Sequence, residues 1–253
     1  MSGNAASFKD HFSGHSADYA RFRPQYPAAF FDAIRDHVAA PRLALDCATG
    51  NGQLALGLTP FCERIVATDA SGEQVAAATP HPAIEYRVAP AEDSGLPDGS
   101  VDLLTVGQAL HWFDHARFAA EAERVIAPDG ILVCVSYATC QVNADIDAVV
   151  STLYVDLLDP YWPPERALVE NRYATIELPG TELRFPALDV RETWHVDAML
   201  GYLRTWSASK RYEQDRGHDP VSRIEARLRD AWGDEDRTVA WPLTVRATRL
   251  VAG

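Results

Sequence analysis

Strand-like and helix-like stretches alternate through the first 140 residues of the chain. Helix-like segments carry apolar residues at a spacing of three or four, whereas the strand-like runs are short and almost continuously apolar. The five strand-like runs are "RLALDCA", "RIVATDA", "AIEYRVAP", "VDLLTVGQ" and "ILVCVSY". This alternation is typical of βαβ units, so it predicts a parallel sheet with right-handed crossovers and helices on both faces.

The pattern changes after residue 138. Residues 144 to 158 read as a helix, and "DPYWPPERALVENRY" has no clean period. We predict a strand at "FPALDVRETWHV", helices at "DAMLGYLRTWSASKRY" and "DPVSRIEARLRDAWG", and a final strand at "TVAWPLTVRATRLVA". Two further strands would bring the sheet to seven.

Bulk composition narrows the class of protein. The 253 residues are 47% hydrophobic, which suits one α/β domain or one domain with an insertion. Because the chain has neither an 18-residue apolar run nor a signal-like N-terminus, we expect a cytoplasmic protein without a membrane partner. The net charge of −13 with scattered arginines gives no basic face for nucleic acid and favours a small-molecule partner.

Cysteine and histidine spacing argues against a metal site. The four cysteines show no C-x-x-C pair, so we expect buried free thiols. His111 and His115 are four residues apart, but no acidic residue accompanies them in an H-E-x-x-H pattern. We therefore predict no bound metal.

Glycines and acids follow three neighbouring strands of the predicted sheet. Gly50 and Gly52 follow the first strand, in the stretch "LDCATGNGQLAL". Asp69 ends the second strand and Glu92 follows the third. Since ligands bind at the carboxyl ends of parallel strands, these residues predict a nucleotide-like cofactor whose ribose hydroxyls bind Asp69.

Two cofactors are compatible with the glycine loop. Gly50-x-Gly52-x-x-Ala55 satisfies the dinucleotide fingerprint of NAD-dependent oxidoreductases. S-adenosylmethionine (SAM) is favoured by Asp46 four residues before Gly50, by the block "PAEDSGLPDGSVDLLTVGQALHWF", and by the strand–helix–strand ending.

On these motifs the chain resembles the class I SAM-dependent methyltransferases of the methyltransferase type 11 group, chiefly over residues 40–140. Three further segments, "YARFRPQYP", "QALHWFD" and "GYLRTWSASKRY", are similar to the subgroup of trans-aconitate methyltransferase and its relatives. The resemblance implies an α/β, Rossmann-like, doubly wound sheet of order 3-2-1-4-5-7-6 with strand seven antiparallel. It also implies a single domain over residues 1–253, a lid at 1–27, and substrate-side insertions at 139–184 and 197–235.

The resemblance also implies which residues surround the cofactor. Asp46 and the glycine loop would hold the methionine end, with Ala48 at the place of the first glycine of the motif D-x-G-x-G-x-G. The full set of expected SAM contacts is Tyr19, Arg23, Asp46, Ala48, Gly50, Gly52, Asp69, Ala70, Ala91, Glu92 and Gln108.

His111, after the fourth strand, is the candidate general base, because its ordinary pKa lies near neutrality. The alternative is that it packs beside Trp112 or caps the next helix. Aromatic residues could line a dry pocket for the methyl acceptor, and the candidates are Trp112, Tyr202 and Trp206.

We predict methyl transfer from SAM to an oxygen nucleophile of a small molecule, either a carboxylate or a hydroxyl. The alternatives are an NAD-dependent oxidoreductase and a non-catalytic SAM-binding module.

Overall fold

A computed structural model describes residues 24–250 of the chain. The strands are β1 Leu43–Cys47, β2 Arg64–Asp69, β3 Ile84–Val88, β4 Val101–Gly107, β5 Ile126–Ser136, β6 Thr181–Leu183, β7 Asp189–Trp194, β8 Arg237–Pro242 and β9 Thr244–Arg249. The α-helices are α1 Ala28–His37, α2 Gln53–Leu58, α3 Gly72–Ala77, α4 His115–Val125, α5 Ala144–Ser151, α6 Arg166–Glu170, α7 Val196–Arg204, α8 Ser207–Arg216 and α9 Glu225–Trp232. Short 3₁₀ segments lie at Leu110–Trp112, Asp159–Tyr161 and Val221–Arg223, and a π-helix covers Thr152–Leu157.

Seven strands form the main sheet in the order β3-β2-β1-β4-β5-β9-β6. The first five in this order pair in parallel, and β9 runs antiparallel to both of its neighbours. The predicted order is therefore confirmed, with β9 in the place of the seventh strand. Chain order reverses between β1 and β4, so the carboxyl ends of these two strands form the switch point where such sheets bind ligands.

Helices cover both faces of the sheet. Ala44 packs with Phe30 and Ile34 of α1, whereas its neighbour Leu45 packs with Phe118 of α4. Successive residues of a strand point to opposite faces, so the two cores lie on opposite sides of one sheet. All four cysteines are free and buried, as predicted.

The sixth strand of the main sheet is not the predicted one. The sheet ends in the three-residue β6, which pairs only with β9. The predicted segment forms β7, which pairs with β8 in a separate two-stranded sheet. A three-residue edge strand carries no readable period, whereas the longer β7 does, and pattern alone therefore selected the wrong segment.

The predicted final strand is in fact two strands. Pro242 has no backbone N–H to donate, and the next residue, Leu243, donates its N–H to Leu188 outside both sheets. Before this break β8 pairs with β7, and after it β9 enters the main sheet. One continuous β-like sequence thus serves two sheets.

A second break divides the helix predicted at residues 197–212. Trp206 is extended (φ −61°, ψ 137°) and separates α7 from α8. The Thr205 hydroxyl donates to the Tyr202 carbonyl at 2.7 Å, and the Ser209 hydroxyl donates to the Leu203 carbonyl at 2.8 Å. These side chains satisfy carbonyls that a continuous helix would use, which explains why the break is tolerated.

Beyond the sheet, the later segments build a hydrophobic cluster of their own, here called the second core. It contains residues of α5, the π-helix, α7, α8, α9 and the β7–β8 sheet, and aromatic rings form its centre. Those rings belong to Tyr202, Trp206, Tyr212, Trp232 and Trp241. Within residues 24–250, no helix is both long and apolar enough to cross a membrane.

Candidate functional site

Two non-glycine residues in the left-handed backbone region mark the switch point. Ala48 directly follows β1 and Gln108 directly follows β4, and each has φ of +55°. Such backbone is costly for a residue with a Cβ and concentrates at functional sites. Its occurrence at the ends of both central strands supports a ligand site between them.

Asp46, the last but one residue of β1, holds the loop that follows the strand. It is 1% exposed, and its carboxylate accepts hydrogen bonds from the Thr49 hydroxyl (2.5 Å), the Ala55 N–H (3.1 Å) and the Thr105 hydroxyl (2.8 Å). Burial raises the pKa of Asp46 to about 6, and these hydrogen bonds offset only part of that effect. The carboxylate that we expected beside the methionine end is turned into the protein instead, because three protein donors surround it.

Asp69, at the end of β2, is half-buried and contacts the same loop from the other side. Its carboxylate accepts one hydrogen bond from the Gly50 N–H at 2.9 Å and one from the Ser71 N–H at 2.8 Å. A carboxylate oxygen has two lone pairs, so each oxygen keeps acceptor capacity. The arrangement can bind a pair of hydroxyls while remaining tied to the glycine loop.

The glycines of the loop serve two different needs. At Gly52 (φ +86°), a Cβ would lie 2.2 Å from the Tyr86 hydroxyl, so only glycine allows this side chain to approach the loop. At Gly50 (φ +57°), the only atom of residues 24–250 that a Cβ would meet is Gln74 Oε1, at 3.9 Å. The space beside Gly50 is therefore open where a cofactor would lie, and the loop fits such a group.

The loop after β3 brings Ala91 and Glu92 to the same edge of the sheet. One Glu92 oxygen accepts a hydrogen bond from the Asp114 N–H at 2.9 Å, which joins this loop to the start of α4.

The sequence analysis missed Glu121, a residue of α4 that holds the same loop through Ser94. Buried Glu121 accepts both the N–H (2.8 Å) and the hydroxyl (2.6 Å) of Ser94. A glutamate on the inner face of a predicted helix was the signal that could have found it.

Gln108 uses its side-chain amide within the protein. The amide nitrogen donates to the Tyr137 carbonyl at 3.2 Å, and the Tyr137 N–H donates to the amide oxygen at 3.1 Å. The residue therefore ties β4 to the end of β5. Beside it, a Cβ on Gly107 would come within 2.9 Å of the Tyr26 hydroxyl, so the chain before α1 packs against the end of β4.

His111 lies in the 3₁₀ segment Leu110–Trp112, and its Nδ1 is 3.0 Å from the Tyr173 hydroxyl. Burial, together with the smaller effects of the charges of Arg166 and His115, lowers the pKa of His111 to about 3. Burial also raises the pKa of Tyr173. His111 is therefore neutral at physiological pH and is a weaker base than an ordinary histidine.

The aromatic candidates occupy two places. The Trp112 ring lies 4.6 Å from the His111 ring, beside the switch point. Tyr202 and Trp206 lie in the second core and are only 2% and 6% exposed. Their rings are in edge contact at 5.8 Å although the helix breaks between them, and Trp241 donates to the Tyr202 hydroxyl at 3.0 Å. Both side chains contribute to packing.

Two predicted contacts, Tyr19 and Arg23, lie outside the described residues. The remaining expected cofactor contacts lie at the carboxyl ends of β1, β2, β3 and β4 or directly after them. Between residues 24 and 250, no group of three or more His, Cys, Asp or Glu side chains could hold a metal ion.

Comparison with known proteins agrees with this geometry. Residues 45–134 match the family described as "Methyltransferase domain". A Dictyostelium discoideum protein described as a methyltransferase is 30% identical over 233 residues, which cover 90% of this chain and 89% of the relative.

Solved structures extend the likeness across most of the chain. A protein of Anaeromyxobacter dehalogenans described as a type II methyltransferase superposes with a TM-score of 0.85 at 45% identity, over 91% of this chain and 99% of that one. An Anabaena variabilis structure at 17% identity (TM-score 0.56) covers 87% of this chain and 96% of its own, and shows the fold alone. The chain belongs to the class I SAM-dependent methyltransferases.

Proposed function

We propose that the protein transfers the methyl group of SAM to an oxygen nucleophile of a small molecule. The observation that carries the cofactor part is the Asp69 carboxylate, which is held against the Gly50 N–H with acceptor capacity on both oxygens. The acidic net charge of −13 disfavours a nucleic-acid acceptor and supports a small molecule.

The residues at the switch point divide the work of holding the cofactor. Asp69 binds the ribose hydroxyls, Ala91 and Glu92 flank the adenine, and the backbone from Ala48 to Gly52 lies along the methionine end. Asp46 contributes by fixing the shape of that loop. When bound, SAM supplies an electrophilic methyl group on a positively charged sulfur.

The chemistry of His111 favours an acceptor that needs little help from a base. A histidine with a pKa of about 3 removes a proton from an alcohol poorly at neutral pH. A carboxylate already carries the electron pair that attacks the methyl group. We therefore propose that His111 and Tyr173 form a neutral hydrogen-bonded pair that orients the acceptor. A carboxylate is favoured over a hydroxyl as the attacking nucleophile.

Titration calorimetry with S-adenosylhomocysteine tests the cofactor site. Asp69→Ala removes the two charge-assisted hydrogen bonds proposed for the ribose hydroxyls, so the affinity for S-adenosylhomocysteine should fall about a hundredfold. The control Asp145→Ala changes an exposed carboxylate on α5 and should bind as the parent does. Equal affinity in the two variants would refute the assignment of Asp69.

Turnover with tritiated SAM and a panel of small acids, alcohols and amines tests the acceptor class. Labelled product from an acid supports O-methylation, whereas product from amines alone contradicts it. Binding of S-adenosylhomocysteine with no product from any acceptor would favour the non-catalytic alternative.

A further inference from the structure

We infer that Arg166 anchors an anionic group of the methyl acceptor. The inference rests on the proposed function and adds a specificity residue to it. It concerns a group separate from the attacked oxygen, because a carboxylate paired with a guanidinium is a poorer nucleophile.

Arg166 joins the second core to the switch-point side of the molecule. Its Cζ lies 5.1 Å from the centre of the Trp162 ring and 5.4 Å from that of Tyr154. Its helix, α6, packs against the 3₁₀ segment Leu110–Trp112, and its charge lowers the pKa of His111. The Arg166 charge therefore acts on both residues proposed to orient the acceptor, His111 and Tyr173.

The hydrogen-bonding capacity of Arg166 is mostly unused. Its Nε donates to the Tyr154 hydroxyl at 2.7 Å and lies 3.7 Å from Glu170 Oε1, and the Tyr154 hydroxyl in turn donates to Glu170. Within residues 24–250, its Nη1 and Nη2 donate to no protein acceptor. The two terminal nitrogens of a guanidinium match the spacing of two oxyanion oxygens.

The surroundings of the Arg166 guanidinium favour tighter binding of an anion than an exposed arginine would give. Its side chain is only 20% exposed, and two aromatic faces replace much of its water. Glu170, the acid paired with Arg166 within residues 24–250, is 47% exposed, so solvent screens its charge. A desolvated guanidinium whose terminal nitrogens have no acceptor within residues 24–250, beside the proposed substrate site, is the chemistry that recognises a carboxylate or a phosphate.

The test is calorimetric titration of the full chain saturated with S-adenosylhomocysteine. Benzoate and succinate probe for carboxylate, inorganic phosphate probes for a tetrahedral oxyanion, and benzamide is the neutral match for benzoate. We expect at least one anion to bind the parent, and benzoate to be preferred over benzamide. Arg166→Gln should weaken anion binding roughly thirtyfold or more and abolish that preference. The carboxylate and phosphate arms show which anion the site takes.

Two variants control for folding and for net charge. Arg166→Lys keeps the charge without the fork, so it should retain part of the anion affinity even if the Gln variant folds poorly. Arg227→Gln removes an exposed arginine of α9 and should leave anion binding unchanged. A loss of benzoate and benzamide binding together would indicate a merely structural role.

Failure of the inference is separable from failure of the proposed function. Normal S-adenosylhomocysteine binding with no anion bound, or with equal anion binding by the parent and Arg166→Gln, would overturn the role of Arg166 alone. If S-adenosylhomocysteine does not bind the parent, the proposed function fails, and the same titrations without it still decide whether Arg166 holds an anion.

Discussion

The glycine-loop region and the second core are stabilised in contrasting ways. In the loop region, buried polar groups satisfy one another: Asp46 bonds to Thr49 and Ala55 within ten residues of sequence, and to Thr105 on the adjacent strand. In the second core, large rings meet across long separations, as when Trp241 donates to Tyr202. Hydrogen bonds therefore fix the conformation of the loop region, whereas the second core takes its shape from apolar packing.

Under the proposed function, this contrast means that the cofactor and the methyl acceptor are recognised by different kinds of interaction. Fixed hydrogen-bond donors and acceptors suit a cofactor that is the same in every reaction. A packed aromatic cluster with the partly buried Arg166 beside it can be changed by substitutions that leave the glycine loop intact. Methyl transfer depends on holding both partners in one geometry, so each region should fail in its own way when it is mutated.

The largest effect is expected from Trp241→Ala. Trp241 is 0% exposed, and the loss of its ring leaves a cavity in the second core. The free energy of unfolding should fall by about 3–5 kcal/mol in urea titrations. S-adenosylhomocysteine affinity of the folded fraction should be retained. Trp241→Phe, which keeps a ring but removes the donor to Tyr202, is the milder control. A matching loss of cofactor affinity would show that the two regions are not separable.

A smaller effect is expected from Asp46. Its contribution to stability changes with pH in the direction opposite to that of most acidic residues. Its folded pKa of about 6 exceeds the ordinary value of 3.8, so the folded state binds the proton more tightly than the unfolded state. Its contribution to stability is therefore full below pH 4 and is lost as the pH rises to 6, by roughly 3 kcal/mol. Asp46→Asn should remove this component.

The comparison is made by subtracting unfolding curves of Asp46→Asn from those of the parent at several pH values from 4 to 7. The difference separates Asp46 from carboxylates such as Glu121. Burial raises the pKa of Glu121, but its hydrogen bonds with Arg124 and Ser94 lower that pKa by more. A difference that does not change with pH would contradict the raised pKa.

The smallest effect is expected from Ala48→Gly. An alanine in the left-handed region lowers stability by about 1–2 kcal/mol, and Ala48→Gly removes this cost. Glycine loses more backbone entropy on folding than alanine, which cancels part of the gain in stability. The variant should therefore unfold at higher urea, with a gain of about 0.5–1 kcal/mol. Ala76→Gly, in the exposed face of α3, should instead lose about 1 kcal/mol. Destabilisation by both substitutions would argue against the backbone conformation at Ala48.

The main sheet and the place of the glycine loop could be predicted from the sequence. Strands β1, β2 and β4 and most of β5 are buried apolar runs, whereas β3 is partly exposed. The carboxyl ends of parallel strands lie at one edge of the sheet. Gly50, Gly52, Asp69 and Glu92 were therefore placed together by strand order alone. Local spacing sufficed because each residue lies within a few positions of a strand end.

Tertiary structure alone decided the rest. Only pairing with β9 makes residues 181–183 a strand, and only the break at Pro242 sends β8 to a second sheet. The low pKa of His111 depends on neighbours from distant parts of the chain, and Asp46 takes one of its three donors, Thr105, from another strand. Periodicity reports which face of an element is apolar, and it carries no information about which partner covers that face.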